Sequence, residues 1–315
     1  MATTNDAVTI TQLRGNPRRR RKEGIVRAVL AGAAIFSVAI SVAIVVALVG
    51  RAASFLADVD LSALFDGSWR PRQGQFDVPT LLIGSLLVTA IAMVVAVPLG
   101  LGAAMFLSEY ASPRLRRWLK PILETLAGIP SVVIGFFALT VLNPSIVQGI
   151  FGATSTFTMM AAGIGVGILT IPLIASVAED AMFAVPGALR EAAYGIGAKR
   201  RTVTTQVVFP AAISGIVAAA ILGISRALGE TMVVAIAAGG TGNASRSWDP
   251  FVPGQTMTAA ISSLAIGSDS VKAGGGAGQV NAFDSLYFIA LMLFALTLML
   301  NVVSERFVRR YRRAY

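Results

Sequence analysis

The sequence predicts an all-α membrane protein with six transmembrane helices and with both termini in the cytoplasm. Of its 315 residues, 55% are apolar and only 13% are charged, about half the charged share of an ordinary soluble domain. Several stretches without Asp, Glu, Lys or Arg are also long enough to cross a bilayer as helices. These two features exclude a soluble enzyme, because too little polar surface is left to keep a chain of this size dispersed.

The residue types in the chain also limit its chemistry. The sequence contains no Cys and no His, which excludes disulfides, thiolate nucleophiles, zinc sites and imidazole acid-base catalysis. The phosphate-binding pattern G-x-x-x-x-G-K-[ST] is absent, and the segments between the spans are too short for a nucleotide-binding domain. We therefore expect no catalytic residues, no metal site and no cofactor in this chain.

The predicted spans follow from the uncharged runs and from turn residues between them. The first run follows five basic residues at 18–22, like a secretory signal, but it is longer than a cleavable apolar core, which predicts a retained span. The run at 125–178 is too long for one crossing, and Asn143, Pro144 and Ser145 predict a turn within it. The six predicted spans cover residues 28–50, 78–108, 125–142, 157–178, 207–238 and 285–304, and candidate bending points are Pro98, Gly100, Gly102, Gly128 and Pro130.

Basic residues indicate how the spans are oriented, because Lys and Arg accumulate in short cytoplasmic segments. The segments predicted to lie inside hold 20 of the 26 Lys and Arg residues, and those predicted to lie outside hold five. The predicted inner segments are 1–27, 109–124, 179–206 and 305–315, and the outer ones are 51–77, 143–156 and 239–284. The net charge of +10 is thus explained by topology, and we expect no binding to nucleic acid.

The outer segment 239–284 contains one further apolar stretch, near Met257 to Ile266. This stretch is too short to cross a bilayer, and proline and hydroxyl residues precede it. We expect a short helix that lies in the outer loop or dips into the entrance of a pathway.

The inner segment 179–206 carries a patterned sequence. Glu191, Ala192 and Ala193 are followed by Gly197 and then by Pro210, with apolar residues at 207 and 209. This spacing resembles the EAA loop, EAA-x3-G-x9-I-x-L-P, of the permeases of ABC (ATP-binding cassette) importers. The resemblance implies the six-span type I importer permease fold, also called MetI-like, with a core at about 78–304. It also implies that these residues form a coupling helix, which fits into a cleft of a separate ATPase subunit.

Arg226 and Glu230 are the charged residues within the fifth predicted span. Charges at this depth are costly and tend to face a cavity or each other. At a spacing of four residues, a continuous helix places both on one face, within reach of an ion pair. We expect either a structural ion pair or a place on the substrate route, or both, because a guanidinium suits an oxyanion and Gly229 allows close approach.

A second resemblance extends over residues 78 to 315. The sequence Ser-Arg-Ala-Leu-Gly-Glu-Thr-Met at 225–232 resembles the permeases of phosphate importers (the Pst system), as do the stretches at 107–110, 127–133 and 255–258. The third-span stretch and Met232 favour the PstC type, although the sister PstA type shares the Arg-x-x-Gly-Glu-Thr core. The resemblance implies a substrate pathway that includes Arg226, Gly229, Glu230 and Thr231.

The same resemblance implies partners and a cycle. They are a second permease of the PstA type in a heterodimer, two ATPase subunits of the PstB type that bind ATP and Mg, an extracytoplasmic phosphate-binding protein of the PstS type, and membrane lipid. The implied activity is phosphate import across the bacterial plasma membrane by alternating access. Two alternatives remain open, namely a permease for another oxyanion such as sulfate or molybdate, and a secondary anion carrier or channel.

Overall fold

The computed structural model describes residues 17–240, 244–266 and 282–311, with side chains given for all of these except 17–21 and 307–311. The chain divides into two compact units, residues 1–50 and residues 51–315. Parts of three predicted segments, 1–27, 239–284 and 305–315, lie outside the described residues.

Helices make up most of the described chain. In chain order, the elements are α1 (Pro17–Asp58), β1 (Ser68–Arg70), β2 (Gln75–Phe76), α2 (Val78–Tyr110), α3 (Pro113–Leu126), α4 (Ser131–Phe151), α5 (Met159–Phe183), α6 (Gly187–Gly195), α7 (Arg200–Ala211), α8 (Ile213–Gly229), α9 (Met232–Ala237), β3 (Ala244–Ser245), α10 (Met257–Ile266) and α11 (Asp284–Tyr311). Two short 3₁₀ helices, Leu61–Phe65 and Pro71–Gln73, flank β1.

Several helices are long and apolar enough to cross a membrane. Among the described residues, five helices are long and apolar enough to span a bilayer, and α7 with α8 forms a sixth candidate that is bent by 72°. Residues 28–50 of α1 carry no charged side chain and are apolar around the circumference of the helix, as expected for a helix in lipid. At Met257–Ile266, α10 is too short to cross.

Several predicted boundaries differ from those in the structure. The predicted turn at 143–156 is wrong over residues 143–151, because α4 continues through Pro144 to Phe151. The helix widens to π-helical hydrogen bonding over Ala138–Gln148, which accommodates the proline that lacks an N–H. The predicted span at 125–142 begins later, at Ser131, because residues up to Leu126 belong to the separate helix α3. The first helix extends beyond the predicted 28–50 at both ends.

Glycines in α2 and α5 allow these two helices to lie unusually close together. A Cβ added at Gly163 would lie 2.6 Å from Cβ of Ile91, and one at Gly167 would lie 2.9 Å from Cβ of Val95. Gly100 in α2 faces Ile174 in the same way, at 2.9 Å from Cγ2. In lipid, such close packing of small residues is the main attraction between helices. Gly100 thus serves packing rather than bending, and α2 runs without a break through Pro98 and Gly102.

A small sheet at the predicted outer side was not expected from the sequence. Strand β1 pairs in antiparallel fashion with β2 on one side and β3 on the other, with Trp69 opposite both Phe76 and Ala244. Trp69 is fully buried in an apolar cluster that also includes Phe55 and Phe76. These strands are too short for hydropathy alternation to reveal them.

Buried Asp77 joins this sheet to α2. Its carboxylate caps the helix by accepting a hydrogen bond from the backbone N–H of Thr80 at 2.9 Å, and it forms an ion pair with Arg246. Burial raises the pKa of Asp77, but hydrogen bonds from Arg246 and Thr80 outweigh this effect and hold the pKa below its ordinary value. The guanidinium of Arg246 also donates to the carbonyl oxygen of Phe65, at 3.1 Å.

At the predicted inner side, ion pairs attach α3 to α5. Buried Glu179 near the end of α5 accepts hydrogen bonds from Lys120, at 2.8 Å, and from Arg116. Lys120 also pairs with Asp180 at 2.6 Å, and its pKa is raised by its hydrogen bonds to Asp180 and Glu179. The helix between the second and third spans is therefore fixed by charges, although none of its residues is buried.

The close contact between α2 and α5 predicts that a single added methyl group destabilises the protein. We expect Gly163→Ala to lower the free energy of unfolding by ~1–3 kcal/mol, because Cβ of Ile91 must move to make room. Gly102→Ala is the matched control, since an added Cβ there meets nothing within 4 Å. Thermal unfolding of the purified permease in lipid nanodiscs measures both, and equal midpoints for the two variants would contradict the packing.

The lowered pKa of Asp77 predicts a loss of stability in acid. A carboxylate with a pKa below its unfolded value stabilises the fold fully above that unfolded value, and the contribution is lost as the pH falls through the folded value. We therefore expect Asp77→Asn to lower the unfolding midpoint at pH 7, with a smaller difference from wild type as the pH falls below ~4. A difference that stays constant between pH 7 and pH 3 would show that Asp77 does not act through its charge.

Candidate substrate pathway and coupling loop

The fifth predicted span, 207–238, is not one continuous helix. It consists of the last part of α7, then α8, which ends at Gly229, and then α9, which begins at Met232. A bend of 72° separates α7 from α8, next to Pro210. At the second interruption, Glu230 has an extended backbone with φ −72° and ψ 126°. In lipid, an interrupted helix is tolerated where it is buried in protein or lines a water-filled cavity.

Arg226 lies in the last turn of α8, and its side chain is exposed. The buried side of this helix is a stripe of small residues, Ala219, Gly223 and Ala227. A Cβ added at Gly223 would lie 2.8 Å from Cδ1 of Ile174, so this stripe packs directly against α5. Arg226 is therefore directed away from the packed side of α8, although it belongs to a segment of membrane depth.

The expected ion pair between Arg226 and Glu230 is not formed. Because the helix ends at Gly229, the two residues no longer lie one turn apart on a common face. The carboxylate of Glu230 instead accepts a hydrogen bond from the backbone N–H of Val233, at 3.4 Å, and so caps α9. Among the residues that the structure describes, neither Arg226 nor Glu230 takes part in an ion pair.

The two remaining predicted pathway residues lie at the interruption itself. Gly229 is exposed, and a Cβ added there meets nothing within 4 Å, which leaves open space beside Arg226. Thr231 is half-buried, and its hydroxyl donates to the carbonyl oxygen of Gly229 at 3.3 Å. The predicted pathway residues are thus neighbours along the chain: Arg226, Gly229, Glu230 and Thr231. Among the described residues, however, the side chain of Arg226 forms no ion pair with the other three.

Residues of α10 hold this interruption in place, a role that the sequence did not indicate. The hydroxyl of Thr258, which is buried, donates to the main-chain carbonyl of Glu230 at 2.8 Å. The hydroxyl of Thr256 lies 3.0 Å away from that of Thr258, and Ser85 of α2 accepts from the backbone N–H of Met257 at 3.0 Å. The stretch at 255–258 is part of the resemblance to the Pst permeases, but the hydrogen bond from Thr258 to Glu230 was not predicted. It joins residues that are 28 positions apart in the sequence.

The charge at Arg226 determines what this region can bind. A guanidinium that has no acidic partner and keeps its proton at any working pH is suited to an oxyanion, to which it presents several N–H donors in one plane. In the described part of the chain, no group of three acidic side chains is placed to hold a metal ion. The exposed guanidinium of Arg226 is therefore suited to an anion.

The predicted coupling residues lie in a separate region, on α6 and the turn that follows it. Glu191 and Ala192 are exposed, whereas Ala193 is buried. Gly197 has φ +82°, a conformation that side chains with a Cβ rarely adopt, and so it allows the chain to reverse after α6. Pro210 is exposed and lies two residues before Ala212, where the bend separates α7 from α8.

Two large side chains that the sequence reasoning passed over are also exposed on this loop. Ile196 is 88% exposed and Tyr194 is 45% exposed. Together with Glu191 and Ala192, they form an exposed surface at the tip of the loop that is partly apolar. No clear signal for them was present in the sequence, because single apolar residues are common on protein surfaces.

The coupling loop lies far from the interruption at residues 230–231. They lie at opposite ends of α8, which has 17 residues and is therefore about 25 Å long. Any communication between them must pass through the packed helices.

Comparisons with known proteins agree with these features. Residues 96–313 match the family described as "Binding-protein-dependent transport system inner membrane component". The chain is 32% identical over 307 residues to the phosphate transport system permease protein PstC of Mesorhizobium japonicum, an alignment that covers 91% of this chain and 90% of that protein. It is 33% identical over 287 residues to the probable ABC transporter permease protein YqgH of Bacillus subtilis, covering 89% and 90% respectively.

A solved structure has the same fold. It is a chain of the MetNI methionine ABC transporter in inward facing conformations, with a TM-score of 0.52 and 20% sequence identity. The match covers 74% of this chain and 97% of that chain.

The bond from Thr258 to Glu230 predicts a difference between two substitutions of similar size. We expect Thr258→Val to lower the free energy of unfolding by ~1–3 kcal/mol, because the carbonyl of Glu230 loses its donor in a partly buried place. Thr258→Ser keeps the hydroxyl and should remain close to wild type. Thermal unfolding in nanodiscs measures both variants, and equal destabilisation of the two would assign the effect to packing instead of the hydrogen bond.

Proposed function

Because the chain belongs to the family of binding-protein-dependent transport system inner membrane components, we propose that it is the permease subunit of an ATP-driven importer of inorganic phosphate. The chain is a multi-pass membrane protein of the bacterial inner membrane, and it is a permease rather than an enzyme. The phosphate assignment is supported by relatives named PstC that are about 30% identical over most of the chain.

The observation that carries the proposal is the free guanidinium of Arg226. It is exposed, it lies beside the interruption at residues 230–231, and it has no acidic partner among the described residues. A charge left unpaired at membrane depth is costly unless it meets water, a ligand or another chain. A pathway that carries an oxyanion supplies the first two of these, which explains why the charge is retained.

The exposed position of Arg226 also supports a second permease. The open space at Gly229 lies on the same exposed surface, so that the anion route runs between this chain and a partner of the PstA type. On the predicted cytoplasmic side, the exposed surface of the coupling loop, with Glu191, Ala192 and Ile196, is suited to a cleft in an ATPase subunit of the PstB type. ATP and Mg bind on that subunit, and a PstS-type protein delivers phosphate from outside.

The proposed cycle is alternating access. Closure of the ATPase pair around ATP moves the coupling loop, and the route past Arg226 opens outward, where phosphate enters from the binding protein. Hydrolysis then releases the ATPase pair, and the route opens inward. Arg226 provides a positive charge along the route throughout the cycle, since a guanidinium stays protonated.

Uptake of radiolabelled phosphate into proteoliposomes tests the proposal, with ATP inside and the binding protein outside. We expect uptake by wild type to require ATP and to persist in excess sulfate. Arg226→Gln should reduce uptake by ~30-fold or more, which corresponds to ~2 kcal/mol, because it removes a charge that contacts the anion. Arg226→Lys is the matched control, which keeps the charge and loses the planar arrangement of donors.

The substrate, the energy source and the role of Arg226 would each be contradicted by a different result. Suppression of uptake by sulfate would replace phosphate by a broader class of oxyanions. Uptake that continues without ATP would support a secondary carrier or channel. Normal uptake by an assembled Arg226→Gln complex would remove Arg226 from the pathway.

A further inference from the structure

The stretch Leu-Ser-Glu-Tyr at 107–110 has no role in the function proposed above. It forms the last, π-helical turn of α2, in which the backbone N–H of Ala111 donates to the carbonyl of Phe106 at 2.7 Å. Single π-helical turns are rare and occur frequently at functional sites. Glu109 within this turn is buried, so its carboxylate requires a partner inside the protein.

That partner is Arg190, which belongs to the coupling helix α6. Its Nη2 and Nε donate to Oε1 of Glu109 at 3.0 and 3.3 Å, and the two side chains are 20% and 5% exposed. The same guanidinium donates to the carbonyl oxygens of Met182, at 2.8 Å, and Val185. Arg190 therefore joins α6 both to the end of α2 and to the chain that enters α6 from α5.

The chain that leaves the coupling loop is attached to the same turn. The guanidinium of Arg200, at the start of α7, lies over the ring of Tyr110, 5.0 Å from its centroid. Two neighbouring residues of α2, Glu109 and Tyr110, thus contact one arginine on each side of the loop. These hydrogen bonds and the cation–π contact fix the orientation of the loop relative to α2, which the apolar packing of Ala193 in the same region does not.

We propose that Glu109 and Arg190 are positioning residues that make the coupling helix move as one body with α2, and this inference rests on the proposed function. Because α2 is closely packed against α5, a displacement of α6 by the ATPase is delivered to both helices together. The Arg226 region is reached through α5, on which α8 lies, and through α10, which is bonded to α2 by Ser85 and to Glu230 by Thr258.

The first test compares variants in the assembled complex with both permeases, the ATPases and the binding protein. In Glu109→Gln and Arg190→Gln, the exposed surface of the loop is unchanged, so we expect the ATPases to co-purify and to hydrolyse ATP. The amount of phosphate carried per ATP hydrolysed should fall by ~5-fold or more, the lower end of typical coupling between sites. Arg190→Lys should retain part of this ratio, and Arg117→Gln is the control, since Arg117 carries the same charge with no ion pair among the described residues.

A covalent bridge gives the second test, which does not depend on how the single variants behave. The chain has no cysteine, so Glu109→Cys with Arg190→Cys introduces one pair of thiols. A bifunctional methanethiosulfonate with an alkyl spacer replaces the ion pair by a link that a reductant removes. We expect the bridged complex to carry more phosphate per ATP than the same complex after reduction.

The outcomes separate this inference from the proposed function. A wild-type complex that shows no ATP-dependent phosphate uptake would contradict the proposed function. A wild-type complex that transports, combined with an unchanged ratio of phosphate to ATP in Glu109→Gln and Arg190→Gln, would overturn the inference alone. A bridged complex that is blocked until it is reduced would also overturn it, because α6 would then have to move relative to α2.

Discussion

A charge removed from water must be neutralised within the protein, and this constraint organises the chain from one membrane surface to the other. Among the described residues, the buried carboxylates Asp77, Glu109 and Glu179 each contact a basic side chain, and each contact joins segments far apart in the sequence. Arg226 and Glu230, in the fifth span, depart from this pattern, since neither is ion-paired in the described structure. The departure coincides with an interrupted helix, where we propose that a transported anion takes the place of the missing partner.

The rigid and the adaptable parts of the chain lie in different helices. The glycine contacts of α2 and α5 allow almost no room for adjustment, because a single added Cβ would overlap a neighbouring side chain. The bend at Ala212 and the interruption at Glu230 divide the fifth span into short helices, the second break being held by one hydrogen bond from Thr258. We therefore expect any motion that an ATPase imposes on the proposed coupling loop to be taken up at these two breaks rather than within α2 or α5.

Local composition was enough to predict the membrane class, the turn at Gly197 and the short helix at 257–266. Uncharged runs reveal spans, and glycine is the residue that most readily adopts the positive φ found at Gly197. The failures concern interruptions and irregular turns of helices, and contacts between distant residues. Pro144 was expected to end a helix, but π-helical bonding accommodates it. An ion pair between Arg226 and Glu230 was one of two expected roles, but the helix ends between these residues. The partners of Glu109 and Thr258 likewise could not be inferred from spacing.

The proposal that Arg226 lies beside an aqueous route between two permeases is tested most directly by thiol accessibility at Gly229. Gly229→Cys places a single thiol in open space, without changing Arg226. In the assembled complex, a charged methanethiosulfonate should react from outside when ATP is trapped on the ATPases and from inside without nucleotide, and phosphate should slow both reactions. A thiol that reacts from neither side in either state would contradict an anion route at this interruption.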